Sequence, residues 1–213
     1  MTTETIHGVA KLANIINVRI FDKDRYAEDS AILKGVNYVI NAHKNDIKKN
    51  SIINMSFGGP YSETIAKLVK KCTNNGIHVV ATAGNDYSDT CSVIPAAAPS
   101  AITVAASDKL DQIANFSNYE SCIDIYAPGN NNNSIIFNGT SISALYVVGT
   151  VALYISTYSN LHPSNMFEAI ISLATKNIIT GISSRNDTYF MRAIFGNLLL
   201  TESGMLLDEL GVL

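Results

Sequence analysis

Apolar positions along this chain follow two spacings that take turns. Short continuous runs rich in β-branched residues predict strands over 15–20, 52–56, 78–83, 101–106 and 122–126. Between them, apolar residues recur at helical spacing. Ile65, Leu68, Val69 and Cys72 fall at i, i+3, i+4 and i+7, and Phe167, Ile170, Ile171 and Ala174 repeat the pattern. Capping residues place helix starts at Ser30, Ser62, Ser141 and, just after Pro163, Ser164, with Gly76 stopping the second helix. Strands alternating with helices predict an α/β layered domain around a parallel sheet. Ile52-Ile53 and Val79-Val80 have no polar alternation, so both faces of that sheet are expected to be covered.

Composition agrees and narrows the function classes. A chain of 213 residues, 47% hydrophobic and 15% charged, can bury one sizeable core. A net charge of −3 provides no basic footprint for nucleic acid or an anionic membrane surface. No run reaches eighteen uninterrupted apolar residues, and Met1-Thr2-Thr3-Glu4 lacks the form of a signal peptide, so localisation is not legible. Asn130-Asn131-Asn132-Asn133 is the low-complexity tract and reads as a loop. Of the sequons at Asn54, Asn115, Asn132, Asn138 and Asn186, Asn54 falls in an expected buried strand, and most are chance in an Asn-rich chain. Cys72 reads as a buried core thiol, and the three cysteines Cys72, Cys91 and Cys122 leave at least one thiol unpaired.

The chemistry concentrates in Phe137-Asn138-Gly139-Thr140-Ser141-Ile142-Ser143-Ala144, a small-residue loop that presents a hydroxyl and runs into an apolar helix. Alone, Gly-Thr-Ser is more often a helix N-cap, and the Gly-x-Ser-x-Gly elbow of another hydrolase class is absent. A nucleophilic serine needs a histidine to take its proton and a carboxylate to orient that histidine. Asn85 is the second candidate: an amide held beside a nucleophile can donate to a developing oxyanion. Gly84-Asn85-Asp86 is equally good turn chemistry.

An ordered series of segments decides between these readings. Gly8-Val9-Ala10-Lys11, Ile16-Asn17-Val18-Arg19-Ile20, Asn54-Met55-Ser56-Phe57-Gly58-Gly59 and Gly76-Ile77-His78-Val79-Val80-Ala81-Thr82-Ala83-Gly84-Asn85 come first. Ala98-Pro99-Ser100-Ala101-Ile102-Thr103-Val104-Ala105-Ala106-Ser107, Phe116-Ser117-Asn118-Tyr119, Asp124-Ile125-Tyr126-Ala127-Pro128-Gly129 and Gly139-Thr140-Ser141 follow. Together they resemble the subtilisin-like serine peptidases of the proteinase K and cerevisin branch over roughly residues 8 to 180. The resemblance implies a subtilisin-like three-layer α/β domain with a mostly parallel sheet, truncated at its N-terminus. Residues 1–196 would be the partial catalytic domain and 197–213 a tail of unassigned role. By the resemblance Ser141 is the nucleophile, Asn85 and the Ser141 N–H form the oxyanion hole, Ser56, Phe57 and Gly58 pair with an extended substrate, and Ala83 and Gly84 line a specificity pocket. The implied partner is a protein or peptide chain in extended form, taken broadly with an apolar preference, with neither nucleic acid nor membrane involved.

The family's Asp-Thr-Gly and His-Gly-Thr-His motifs would fall before residue 1. None of His7, His43, His78 and His162 stands in the required context. Two further departures are Leu145 and Tyr146, where the family carries Pro and His. No cofactor is required; the resemblance adds a structural calcium held by Asp124 and the carbonyls of Pro99 and Ala101. Cys91 and Cys122 resemble the cerevisin pattern, with their pairing left open. The strand carrying Asp-Thr-Gly would lie between those corresponding to 15–20 and 52–56. Its loss is expected to leave two unpaired inner edges and a route to self-association. Family members are extracellular or vacuolar.

Overall fold

The computed structural model describes residues 8–129, 138–182, 188–191 and 205–207. Within them, ten short strands alternate with helices: β1 (Asn14–Ile15), α1 (Asp29–Asn45), β2 (Ser51–Met55), β3 (Gly59–Pro60), α2 (Glu63–Asn74), β4 (His78–Thr82), β5 (Val93–Ile94), β6 (Ile102–Ser107), β7 (Ile125–Pro128), α3 (Thr140–Thr157), α4 (Pro163–Leu173), β8 (Thr175–Lys176), β9 (Tyr189–Phe190) and β10 (Met205–Leu207). The principal sheet has the order β1-β10-β2-β4-β6-β7-β9-β8. Every neighbouring pair in it is parallel except β8 with β9. β3 and β5 form a separate antiparallel pair.

Local rules place the helices. The Ser62 side chain accepts from the Ile65 N–H and caps α2. Gly76 turns the chain at φ +84°, a conformation that costs glycine little, and sends it into β4. Two apolar layers close over the sheet. One packs Ile32, Val36 and Val39 of α1 and Leu68, Val69 and Cys72 of α2 against Ile53, Val79 and Ala81. The other packs Val147, Val148 and Val151 of α3 against Ile52, Val80, Val104 and Ile125. Adjacent residues of one strand thus face opposite layers, which is why 52–53 and 79–80 carry no polar alternation. By length and composition α3 could cross a bilayer. Its contacts with β2, β4, β6 and β7 make it the central core helix here.

Three details were not legible beforehand. The strand expected over 15–20 is two residues long and exposed on both, because its neighbour β10 spans only three residues. β10 itself fills the position between β1 and β2, so the two inner edges expected to be open are paired. Cys91 and Cys122, whose pairing was open, form a disulfide with Cα atoms 5.2 Å apart, whereas Cys72 is the free buried thiol its spacing predicts.

Candidate active site

In a parallel sheet the carboxyl ends of the strands share one edge, and ligands of open α/β sheets collect there. β4 delivers Thr82, Ala83, Gly84 and Asn85 to that edge, and α3 starts beside them. The helix has no cap from its own flanking residue. Asn85 supplies one from 55 residues away: its Oδ1 accepts the Thr140 backbone N–H and the Thr140 Oγ1–H, each at 2.9 Å. The Thr140 hydroxyl in turn accepts from the Gly84 N–H at 3.2 Å and from the Thr82 hydroxyl. Thr140 is fully buried, so these bonds form in a low dielectric, where each orients its neighbours strongly.

The result fixes the Asn85 amide. With Oδ1 committed to the helix terminus, the Nδ2 group is left to face outward; Asn85 is exposed. Ser141, half-buried, occupies the first turn of α3, and its N–H has no partner among the described residues. A methyl group placed on Gly139 would lie 3.6 Å from Asn85 Nδ2 and 3.8 Å from the Ser141 nitrogen. One region of space is thus close to both donors. It also lies at the positive end of the α3 dipole. Two N–H groups and a helix dipole around one point are suited to stabilising an oxyanion on an acyl carbon.

The loop that carries Asn85 is held by Asn118. Its Nδ2 donates to the Ala83 carbonyl at 2.9 Å, and its Oδ1 accepts from the N–H groups of Asp86 and Ser88, each at 3.0 Å. Its own backbone N–H donates to the Gly84 carbonyl at 3.0 Å. Gly84 makes this clasp sterically attainable: it sits at φ +106°, and a Cβ there would come within 2.4 Å of Asn118 Nδ2. Thr82, Thr140 and Asn118 received no role from the sequence. The available signals were small polar residues closing apolar runs and the Phe116-Ser117-Asn118-Tyr119 motif, neither of which names a partner.

The candidate substrate residues divide. Ala83 and Gly84 lie beside the start of α3, with backbone groups already bonded to Val104, Asn118 and Thr140, so they can offer a wall. Ser56, Phe57 and Gly58 follow β2, the neighbour of β4, and belong to no strand. A Cβ at Gly58 would come within 2.8 Å of Val93 Cγ1, so glycine is what fits between this segment and β5. Phe57 stacks edge-on against Phe21, with ring centres 5.9 Å apart.

The described histidines bond elsewhere. His43 Nδ1 pairs with Ser51 Oγ at 2.9 Å, His78 Nε2 with Asn160 Oδ1 at 2.7 Å, and His162 Nδ1 with Ser164 Oγ at 2.9 Å. Asn160 Nδ2 donates to the Lys49 carbonyl, so its Oδ1 faces His78 and the ring must carry its proton on Nε2. Burial lowers the pKa of both His43 and His78 and keeps them neutral. His7 lies outside the described residues.

Asp124, Pro99 and Ala101 are among the residues that line one cavity of about 290 Å³, with His78, His162 and Glu168. Asp124 Oδ2 accepts the Thr103 N–H at 2.8 Å.

The chain is 34% identical over 199 residues to isp6, a subtilase-type proteinase of the sexual differentiation process in Schizosaccharomyces pombe, covering 89% of this chain. It is 37% identical over 203 residues to the subtilisin-like serine protease Pen ch 18 of Penicillium rubens, covering 83%. With the extracellular serine proteinase of Thermus sp. strain Rt41A it shares 35% identity over 184 residues, covering 82%. The chain spans 43%, 41% and 44% of these three relatives, respectively. The crystal structure of a cold-adapted subtilisin-like serine proteinase superposes with a TM-score of 0.80 at 30% identity, over 88% of this chain and 70% of that one. The model of the Subtilase family, Peptidase_S8, matches residues 1–189, and the chain belongs to that family.

Proposed function

We propose that this chain is the nucleophile and oxyanion-hole part of a serine endopeptidase acting on extended peptides. The observation that carries the reading is the double commitment of Asn85 Oδ1 to Thr140, which leaves Asn85 Nδ2 and the Ser141 N–H around one space. In the reaction, Ser141 Oγ bonds to the scissile carbonyl carbon as a base removes its proton. The carbonyl oxygen takes the negative charge between the two donors. The C–N bond then breaks, and the leaving amine receives the proton. Acyl transfer of this kind needs no catalytic cofactor. Substrate main chain running beside Ser56–Gly58 would bind with little regard to sequence, and Ala83 and Gly84 would bound the pocket next to the scissile bond.

A second reading is peptide binding without turnover, and it is favoured by the three described histidines, all engaged away from Ser141. A fluorophosphonate probe separates the two. On the 213-residue chain, Ser141 is expected to stay unlabelled, because a subtilisin-type serine that loses its histidine loses about 10⁶-fold in kcat. A longer polypeptide that brings a base should label at Ser141. Failure of such a polypeptide to label, with an extended peptide aldehyde still bound, selects the binding reading.

Asp124 with the Pro99 and Ala101 carbonyls is the proposed seat of a structural calcium. Calcium should raise the melting temperature over EDTA, and Asp124→Asn should abolish the difference.

A further inference from the structure

We propose that the space between β1 and β2 is a strand-receiving slot, that its occupant is this chain's own residues 205–207, and that this strand keeps the chain monomeric. β10 is parallel to both neighbours, with Met205 level with Asn14 and Ser51, and Leu206 level with Ile15 and Ile52. β1 has no other pairing among the described residues, so its place in the sheet depends on β10. On the other side, β2 is wholly buried and pairs with β4 along one edge only. Without β10, the second edge of β2 would keep buried N–H and C=O groups lacking partners, a condition that is costly and that recruits other strands.

The sequence suits an interior position. Met205-Leu206-Leu207 is a continuous apolar run between Gly204 and Asp208, as an interior parallel strand requires. Reach is sufficient within one chain. From β9 to β10 the sheet is crossed past β7, β6, β4 and β2, about 24 Å at the usual strand spacing. The roughly fourteen residue steps from Met191 to Met205 can extend to about 46 Å. The occupant therefore need not come from a second copy.

Hydrogen exchange on the intact 213-residue chain tests this directly. The amides of Leu206 and Leu207 should exchange at least about a hundredfold more slowly than in an unfolded chain; exchange at the unfolded rate overturns the proposal. Ending the chain after Ser203 should convert a monomer into associating species, and a synthetic peptide of residues 203–210 should return it to a monomer. A truncated chain that stays monomeric with an unchanged melting temperature counts against the slot. Should truncation simply prevent folding, Ile52→Cys with Leu206→Cys in a Cys72→Ala background gives the answer under oxidation. A cross-link within one chain supports the assignment; a covalent dimer, or no cross-link, removes it.

Discussion

The two ends of the sheet satisfy their polar groups differently. At the amino end, His43 meets Ser51, and His78 meets Asn160, which is itself bonded to the Lys49 carbonyl. These pairs are local in effect: they tie α1 and the segment before α4 to the strand starts, while the buried His78 Nδ1 has no partner among the described residues. At the carboxyl end, Thr82, Thr140, Asn85 and Asn118 are joined by hydrogen bonds that commit Asn85 Oδ1 and leave its Nδ2 group over. The same tendency of buried polar groups to find partners thus yields a structural joint at one end and the proposed oxyanion site at the other. The difference lies in the helix terminus. α3 brings N–H groups that need acceptors, and Asn85 provides one while keeping its own N–H₂ group.

The sharpest way to break this contrast is Asn85→Ala. In a polypeptide that also supplies the catalytic base, it should lower kcat about 10²- to 10³-fold, the cost of one oxyanion-hole donor, with little change in KM. Loss of the α3 cap should lower the melting temperature in either case, and a kcat loss below about fivefold would mean that Asn85 serves chiefly as that cap.

Asn118→Ala comes next, because Asn118 sets the loop and does not face the substrate. It should cost about 2–3 kcal/mol in urea unfolding by stranding the Ala83 carbonyl and the Asp86 and Ser88 N–H groups. Asn118→Asp keeps an acceptor for the Asp86 and Ser88 N–H groups but turns an oxygen toward the Ala83 carbonyl, so it should recover little of that loss. Equal stability of both variants with the parent would remove the clasp from the account.

The amino end should reveal itself through pH. Both His43 and His78 have folded pKa values held below the usual 6.5 by burial, so the unfolded chain binds more protons in acid. Their contribution is present above about pH 6.5 and is lost as pH falls toward the folded values, with at most about 1.4 kcal/mol per pH unit from each ring. Chemical unfolding between pH 7 and 5 should show this slope, and His43→Gln should flatten it. A curve indifferent to that substitution would place the titration elsewhere.

The smallest effect is expected at Cys72, where burial pushes the thiol to about 12. A thiol reagent at pH 8 should leave the folded protein unmodified and react once after unfolding. Reaction in the native state would show that the layer beneath α2 opens.

What the sequence determined by itself was local. The α2 cap at Ser62, the stop at Gly76 and the apolar stripe ending in Cys72 follow from spacing and side-chain chemistry within a dozen residues. The alternation of strand and helix gave the layers, since each element's apolar period fixes which face it must bury. An ordered set of short motifs carried the family. Ser141 and Asn85 were singled out in that way, each with a bland reading beside it. Only the tertiary structure decided which groups meet: Thr140 with Asn85 across 55 residues, Asn118 with the Ala83 carbonyl across 35, Cys91 with Cys122 across 31. It also set 205–207 between β1 and β2, which shortened β1 to two residues and closed the inner edges. Strand order and hydrogen-bond partners at such separations leave no periodic trace, because a strand's own pattern states that it is buried and says nothing of its neighbour.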